Sequence, residues 1–138
     1  MATTRTFADA GVLIWAARGQ EPLSSAAMQL LASPDREFVA SDFLRLEVLP
    51  KAAYNKQPAE QAFYERFLAG VVLSLPTSPQ LMALAEQQAI RYGLSAIDAL
   101  HVAAAQLAKA TELHTTERPT SPLFRVRELT VVSIRPIV

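Results

Sequence analysis

The chain has 138 residues, 51% of them hydrophobic and 19% charged, which excludes a disordered polypeptide and allows a buried core. Thirteen basic residues balance thirteen acidic ones, so any contact with nucleic acid must be made by a local basic surface. Cysteine is absent, which excludes disulfides, thiolate zinc sites and cysteine nucleophiles. We predict one domain, residues 1–138, with no membrane-spanning segment and a cytoplasmic location.

Short β-prone segments alternate with helical segments along the chain, separated by proline and glycine. The predicted strands are 4–8, 38–41, 71–75, 112–116 and 130–134, and the segment 33–37 is predicted as a turn. The predicted helices are 12–19, 22–31, 43–52, a helix from Pro58, a helix from Pro79 that ends at Gly93, and 93–110. This alternation predicts a three-layer α/β/α fold with a mostly parallel sheet of about five strands.

The last of these helices, 93–110, contains an acid beside a predicted apolar face. Ser95 is placed to cap this helix, and Ile97, Leu100, Ala104 and Leu107 recur at the spacing of a buried face. Asp98 lies next to that face. One interpretation is a capping box, because Ser95 and Asp98 have the required S-x-x-D spacing. The other is that Asp98 shares a divalent cation with further acids.

Three further acids fall near strand ends, where α/β proteins bind their ligands. Asp9 ends the first predicted strand, Glu117 follows the fourth, and Glu47 lies among apolar residues in the helix after the second. Each acid alone has an ordinary interpretation, as a turn residue or an exposed helix position. Together with Asp98 they indicate a cation site at one edge of the sheet.

Four segments carry a family resemblance: FADAGVLI, FLRLEV, LSAIDALHVAAA and LHTTERP. They resemble, in the same order, the four signature segments of PIN-domain ribonucleases, including the VapC-type toxins. The resemblance implies a Mg²⁺- or Mn²⁺-dependent endoribonuclease whose catalytic, metal-binding acids are Asp9, Glu47, Asp98 and Glu117. Thr115 matches the hydroxyl residue two positions before the fourth acid. The implied partners are RNA, an antitoxin protein and a second copy of the chain in a homodimer.

Two positions differ from the family pattern. Ala10 replaces the small hydroxyl or amide residue that usually follows the first acid, and Glu117 stands where Asp is common. The first change removes a possible orienting bond, and the second lengthens the ligand by one methylene. An alternative function is therefore a catalytically inactive PIN-like module that binds RNA or a protein partner.

Basic residues become frequent after the fourth acid. The chain after Glu117 contains one acidic residue, Glu128, and four basic ones: Arg118, Arg125, Arg127 and Arg135. This segment could hold RNA phosphates or could be an ordinary exposed surface. Arg118, beside Glu117, is the best candidate for a substrate contact. We interpret His101 and His114 as structural, because hard cations prefer oxygen ligands.

Overall fold

The structure, a computed structural model, describes residues 3–136. Within that range it contains five strands, six α-helices and one short 3-10 helix, Pro122–Arg125. The strands are β1 (Thr4–Ala8), β2 (Arg36–Ser41), β3 (Leu73–Leu75), β4 (Glu112–Thr115) and β5 (Thr130–Ser133). The helices are α1 (Ala10–Arg18), α2 (Leu23–Leu31), α3 (Asp42–Tyr54), α4 (Pro58–Gly70), α5 (Pro79–Tyr92) and α6 (Ala96–Leu107). None of these helices is both long and apolar enough to cross a bilayer.

All five strands are parallel, in the order β3-β2-β1-β4-β5. The chain therefore builds the sheet outwards from β1 in one direction, through β2 to β3, and then returns to the other side of β1 to add β4 and β5. The predicted parallel α/β fold is confirmed. The point where the strand order reverses lies between β1 and β4, and such switch points form a crevice at the carboxyl ends of the strands.

Two hydrophobic clusters cover the two faces of the sheet. Successive residues of a strand point to opposite faces, and Phe7 belongs to the larger cluster whereas Ala8 belongs to the smaller one. Val39 and Phe38 of β2 divide between the clusters in the same way. Helices α1, α3 and α6 pack against the strands, while α2, α4 and α5 pack against α1, α3 and α6, respectively.

Side-chain caps determine where the helices near the carboxyl ends of the strands begin. Asp9, Ser41, Ser78 and Ser95 each accept a hydrogen bond from a backbone amide in the first turn of α1, α3, α5 and α6. Gly19 and Gly93 end α1 and α5 with a φ of 69°, which favours glycine. The predicted starts and ends of these helices are therefore confirmed to within a few residues.

Three local predictions were wrong. Strand β2 begins at Arg36, inside the predicted turn, because Arg36 bonds Glu112 at 2.7 Å and Glu37 pairs with Arg5 at 2.9 Å. Strand β3 begins at Leu73, two residues later than predicted. Ile97 is 40% exposed instead of buried, because the buried part of α6 begins only at Ala99 and runs to Ala105.

Gly11 provides a close approach between the start of α1 and the segment after β4. A Cβ atom at this position would lie 2.2 Å from Oγ1 of Thr116 and 3.2 Å from its Cγ2. We expect Gly11→Ala to destabilise the protein by about 1–3 kcal/mol through overpacking, although alanine normally stabilises a helix relative to glycine. Urea unfolding measures the change. Adding Thr116→Ala should recover most of the loss, and a stable single variant would contradict this packing.

Glu128 joins the segment before β5 to the end of α5. Burial alone would raise the pKa of its carboxyl, but hydrogen bonds from Tyr92 (2.5 Å) and Gln88 (2.9 Å) outweigh it and lower the pKa to about 2. A lowered folded-state pKa stabilises the protein above the ordinary value of 4.5, and this contribution is lost as the pH falls towards 2.

The free energy of unfolding of the wild type should therefore exceed that of Glu128→Gln by a constant amount above about pH 5.5 and by less at each lower pH. Urea unfolding between pH 7 and pH 2.5 measures the difference. Tyr92→Phe removes the strongest of the hydrogen bonds and should remove most of this pH dependence. If the difference in unfolding free energy between the wild type and Glu128→Gln increased as the pH fell, the lowered pKa of Glu128 would be contradicted.

Candidate metal centre

Asp9 lies at the carboxyl end of β1 and is 9% exposed. Its Oδ1 accepts a hydrogen bond of 3.2 Å from the Val12 amide, so the side chain also caps α1. Burial raises the pKa of its carboxyl to about 6, against the opposing effects of the Thr115 hydroxyl, the Val12 amide and the charge of His101. The negative charge of Glu117 raises this pKa further. The fold thus keeps a carboxylate in a place that disfavours its charge.

Thr115 and Glu117 bring a second acid to the same edge of the sheet. Thr115 is fully buried at the end of β4, and its Oγ1 accepts a 3.1 Å hydrogen bond from the Glu117 amide. The Thr115 hydroxyl also lowers the pKa of the Asp9 carboxyl, so Thr115 lies near both the first and the fourth acid. The carboxylate of Glu117 accepts a 2.8 Å hydrogen bond from Ser121. Thr115 thus favours the charged form of Asp9 and also holds the backbone at Glu117, whereas the alanine at position 10 has no polar side chain.

Asp98 is half-buried in the first turn of α6. Its amide donates to Ser95 Oγ at 3.2 Å, so the capping interpretation describes part of its environment. Burial raises the pKa of its carboxyl first, and the charge of Glu117 raises it next, while His101 and the Ser95 hydroxyl lower it. Glu47 adds a smaller raising effect. Ser95 is thus the cap residue, and the carboxyl of Asp98 lies within reach of the charges of two other acids.

Glu47 reaches this region from α3 and contacts a histidine. Its Oε1 lies against Nε2 of His101, one turn after Asp98 on α6. His101 is 3% exposed, its ring packs on Phe7 with centroids 5.2 Å apart, and its Nδ1 is buried with no partner in the described chain. The prediction that His101 is packed is therefore confirmed. Its contact with Glu47 was missed, and the only sequence signal was its position one turn after Asp98.

The charge of Glu117 acts on both Asp9 and Asp98, and the charge of Glu47 acts on Asp98. Glu47 also contacts His101, whose charge acts on Asp9 and Asp98. Asp9, Asp98 and Glu117 form no ion pair with lysine or arginine within residues 3–136. In the same range, no three acidic, histidine or cysteine residues form a ready-made metal-binding group. The donor chemistry nevertheless fits a hard divalent cation, since all four candidates supply carboxylate oxygens.

The other predicted residues lie outside this cluster of acids. His114 bonds Glu112 at 2.8 Å and is buried in β4, which confirms its structural role. Arg118 is exposed just after Glu117 and lines a separate cleft together with Arg135. The sequence interpretation identified Arg118 but not the cleft, because its walls come from segments that are far apart in the chain.

Several solved structures with a similar fold are described as toxins or toxin–antitoxin complexes. A toxin–antitoxin complex from Klebsiella pneumoniae is 21% identical, with a TM-score of 0.71 over 96% of this chain and 99% of that chain. VapBC2 from Rickettsia felis, bound to a DNA fragment from its promoter, is 14% identical, with a TM-score of 0.70 over 94% and 98%. VapC20 of Mycobacterium tuberculosis, a Sarcin-Ricin loop cleaving toxin, is 18% identical, with a TM-score of 0.64 over 78% and 86%.

These identities are low, so the structural likeness establishes the fold alone. A comparison with curated protein sequences found no match. The sequence model of the PIN domain, in contrast, matches residues 6–118, which include all four candidate acids. The chain therefore belongs to the PIN domain family.

Proposed function

We propose that this protein is a metal-dependent endoribonuclease that hydrolyses RNA phosphodiester bonds, and that it is the toxin of a toxin–antitoxin pair. The proposal is carried by one observation. Asp9 and Asp98 come from distant parts of the chain, and burial together with the charge of Glu117 raises the pKa of both carboxyls. Carboxyls whose pKa is raised by burial and by neighbouring negative charges are typical of functional sites. A bound cation would reduce the repulsion between these carboxylates.

Asp9, Asp98 and Glu117 would hold a Mg²⁺ or Mn²⁺ ion, with Glu47 as a further ligand. When bound, such an ion supplies an activated water and stabilises the negative charge that develops on a phosphate. Thr115 would orient Asp9 through its hydroxyl, and Ser121 would orient Glu117. His101 would fix the position of Glu47. Orienting partners of this kind commonly tune metal affinity in proteins.

The similar structures support both the substrate and the partner that we propose. One of them is named as a toxin that cleaves the Sarcin-Ricin loop, and others are VapBC complexes with DNA or without it. By this likeness, RNA would be the substrate and a VapB-like antitoxin the protein partner. The homodimer and the cytoplasmic location remain predictions.

The alternative function is a catalytically inactive PIN-like module that binds RNA or a protein. One contact favours it: Glu47 already pairs with His101, so that acid is engaged inside the protein. The endoribonuclease would cleave RNA in the presence of metal as a purified protein, whereas the inactive module would not.

We expect the purified protein to cleave a structured RNA in the presence of Mn²⁺ or Mg²⁺ and to stop when EDTA is added. Asp98→Asn should lower the cleavage rate by more than about 100-fold, because loss of a mere neighbour of a metal ligand already costs about 10- to 100-fold in affinity or activity. Gel analysis of end-labelled RNA measures the rate.

Asp35→Asn is the matched control, since Asp35 is exposed in the turn before β2 and its side chain makes no hydrogen bond in the described chain. This variant should retain wild-type activity. Cleavage that survives in Asp98→Asn would indicate a contaminating nuclease or a different site. If the wild type cleaves no RNA at any metal concentration, the result would favour the catalytically inactive module.

Metal binding should also appear in the stability of the protein. We expect millimolar Mn²⁺ to raise the melting temperature of the wild type, because a ligand at 100 times its Kd stabilises the folded state by about 2.7 kcal/mol. Asp98→Asn should melt at a higher temperature than the wild type in EDTA, since it removes one charge from a group of acids that repel one another, and it should lose most of the response to metal. Differential scanning fluorimetry measures both effects, and equal responses from the two proteins would contradict the metal site.

A further inference from the structure

A cleft of about 750 Å³ opens beside β5, away from the four acids. Its apolar walls are formed by Phe124 from the 3-10 helix, Val131 and Val132 from β5, and prolines of three connecting segments, Pro22, Pro119 and Pro136. The residues that form it are separated by more than a hundred positions in the sequence. Helix α2, the segment after β4 and the segment after β5 thus meet here.

The charged side chains that line this cleft are all positive. Arg118 and Arg135 line it, and no acidic residue does so. Both arginines are exposed, and neither forms an ion pair within residues 3–136. The chain has no net charge, so two unpaired guanidinium groups at an apolar cleft are a local concentration of positive charge. Such a surface is complementary to an anion that also carries an apolar face.

The cleft is joined through the backbone to the segment that carries the fourth acid. Ser133 Oγ donates to the Glu117 carbonyl at 2.7 Å, and the Arg135 guanidinium donates to the Thr116 carbonyl. Arg118 follows Glu117 directly. The Glu117 side chain, in contrast, acts on Asp9 and Asp98. A chain of nucleotides lying across this segment could therefore reach both the acids and the arginines.

We propose that the cleft binds a single-stranded RNA segment next to the bond that is cleaved. Arg118 and Arg135 would contact its phosphates, and the wall formed by Phe124 and Val131 would pack against a base. Arginine and an apolar or aromatic surface are the usual combination for a single strand, because each base has an apolar face and each linkage a negative charge. The inference rests on the proposed function, since it concerns the substrate of the same site.

A peptide is the other conceivable occupant, because β5 is an edge strand and its outer edge could accept another strand. The charges favour RNA. A peptide that adds to a strand is held mainly by main-chain hydrogen bonds and does not require cations, whereas both charged side chains of this cleft are cationic.

Binding can be tested without cleavage. We would measure the affinity of the full chain for a fluorescent single-stranded RNA oligonucleotide in EDTA, at several salt concentrations, with gels to verify that the RNA stays intact. Loss of one phosphate contact lowers the slope of log K against log salt by about 0.7 for a single strand. We expect about that change for Arg118→Ala, and about twice that change when Arg135→Ala is added.

A second pair of variants avoids the arginines, because the loss of Arg135 could also disturb the Thr116 backbone. Thr120 is exposed and lines the cleft, so Thr120→Glu adds a repelling charge, while Thr120→Gln has the same size without the charge. We expect Thr120→Glu to weaken RNA binding at least several-fold and Thr120→Gln to leave it unchanged. Arg66→Ala, an exposed arginine of α4 outside the cleft, should also bind as the wild type does.

Equal affinity in Thr120→Glu and Thr120→Gln, or an equal loss in Arg66→Ala and Arg118→Ala, would overturn the proposal. In that case the edge of β5 would be a candidate for peptide binding instead. The outcome does not depend on activity. If RNA binding depends on the charges of the cleft but no RNA is cleaved, the proposed nuclease activity is refuted and the RNA-binding role of the cleft stands. If RNA is cleaved with metal but its binding does not depend on these charges, the RNA-binding role of the cleft is refuted and the nuclease activity stands.

Discussion

The arrangement of the candidate centre depends on the switch point between β1 and β4. Because the chain adds β2 and β3 on one side of β1 and β4 and β5 on the other, two strands far apart in sequence end side by side. Asp9 follows one of them, and Glu117 follows the other. Burial and the charge of Glu117 both disfavour the charged form of Asp9, so a fold that gathers these acids needs compensation. Asp9 obtains part of it from the Val12 amide, whose hydrogen bond it accepts while capping α1, and from the nearby Thr115 hydroxyl.

Helix α6 brings Asp98 and His101 to the candidate centre, and most of the helix is buried. Its residues from Ala99 to Ala105 are all buried, and four of these seven are alanines. Small side chains allow the helix axis to approach its neighbours closely, which brings Asp98 and His101 towards β1. His101 then packs on Phe7 of β1 and contacts Glu47 of α3. One helix thus positions one acid directly and a second acid through a histidine.

The segment after β4 serves two surfaces at once. Thr115, the last residue of β4, acts on Asp9, and the side chain of Glu117 acts on Asp9 and Asp98. The backbone carbonyls of Thr116 and Glu117 accept hydrogen bonds from Arg135 and Ser133 at the cleft. Gly11 also packs against Thr116, where no larger residue fits without a shift. A segment restrained by several separate contacts holds the Glu117 carboxylate in a fixed position, and such preorganisation favours ligand binding.

The alternation of strands and helices, the serine and glycine boundaries of several helices, and the placement of Asp9 and Glu117 after strands could all be predicted from the residues alone. These features depend on residues close together in the chain, whose periodicity and capping preferences are local. Only the folded structure showed that Arg36 and Glu37 belong to β2, that Ile97 is exposed, that Thr115 lies near Asp9 and that Glu47 contacts His101. Each of these depends on how segments far apart in the chain pack together, and which segments meet follows from the order of the strands, which no local pattern encodes.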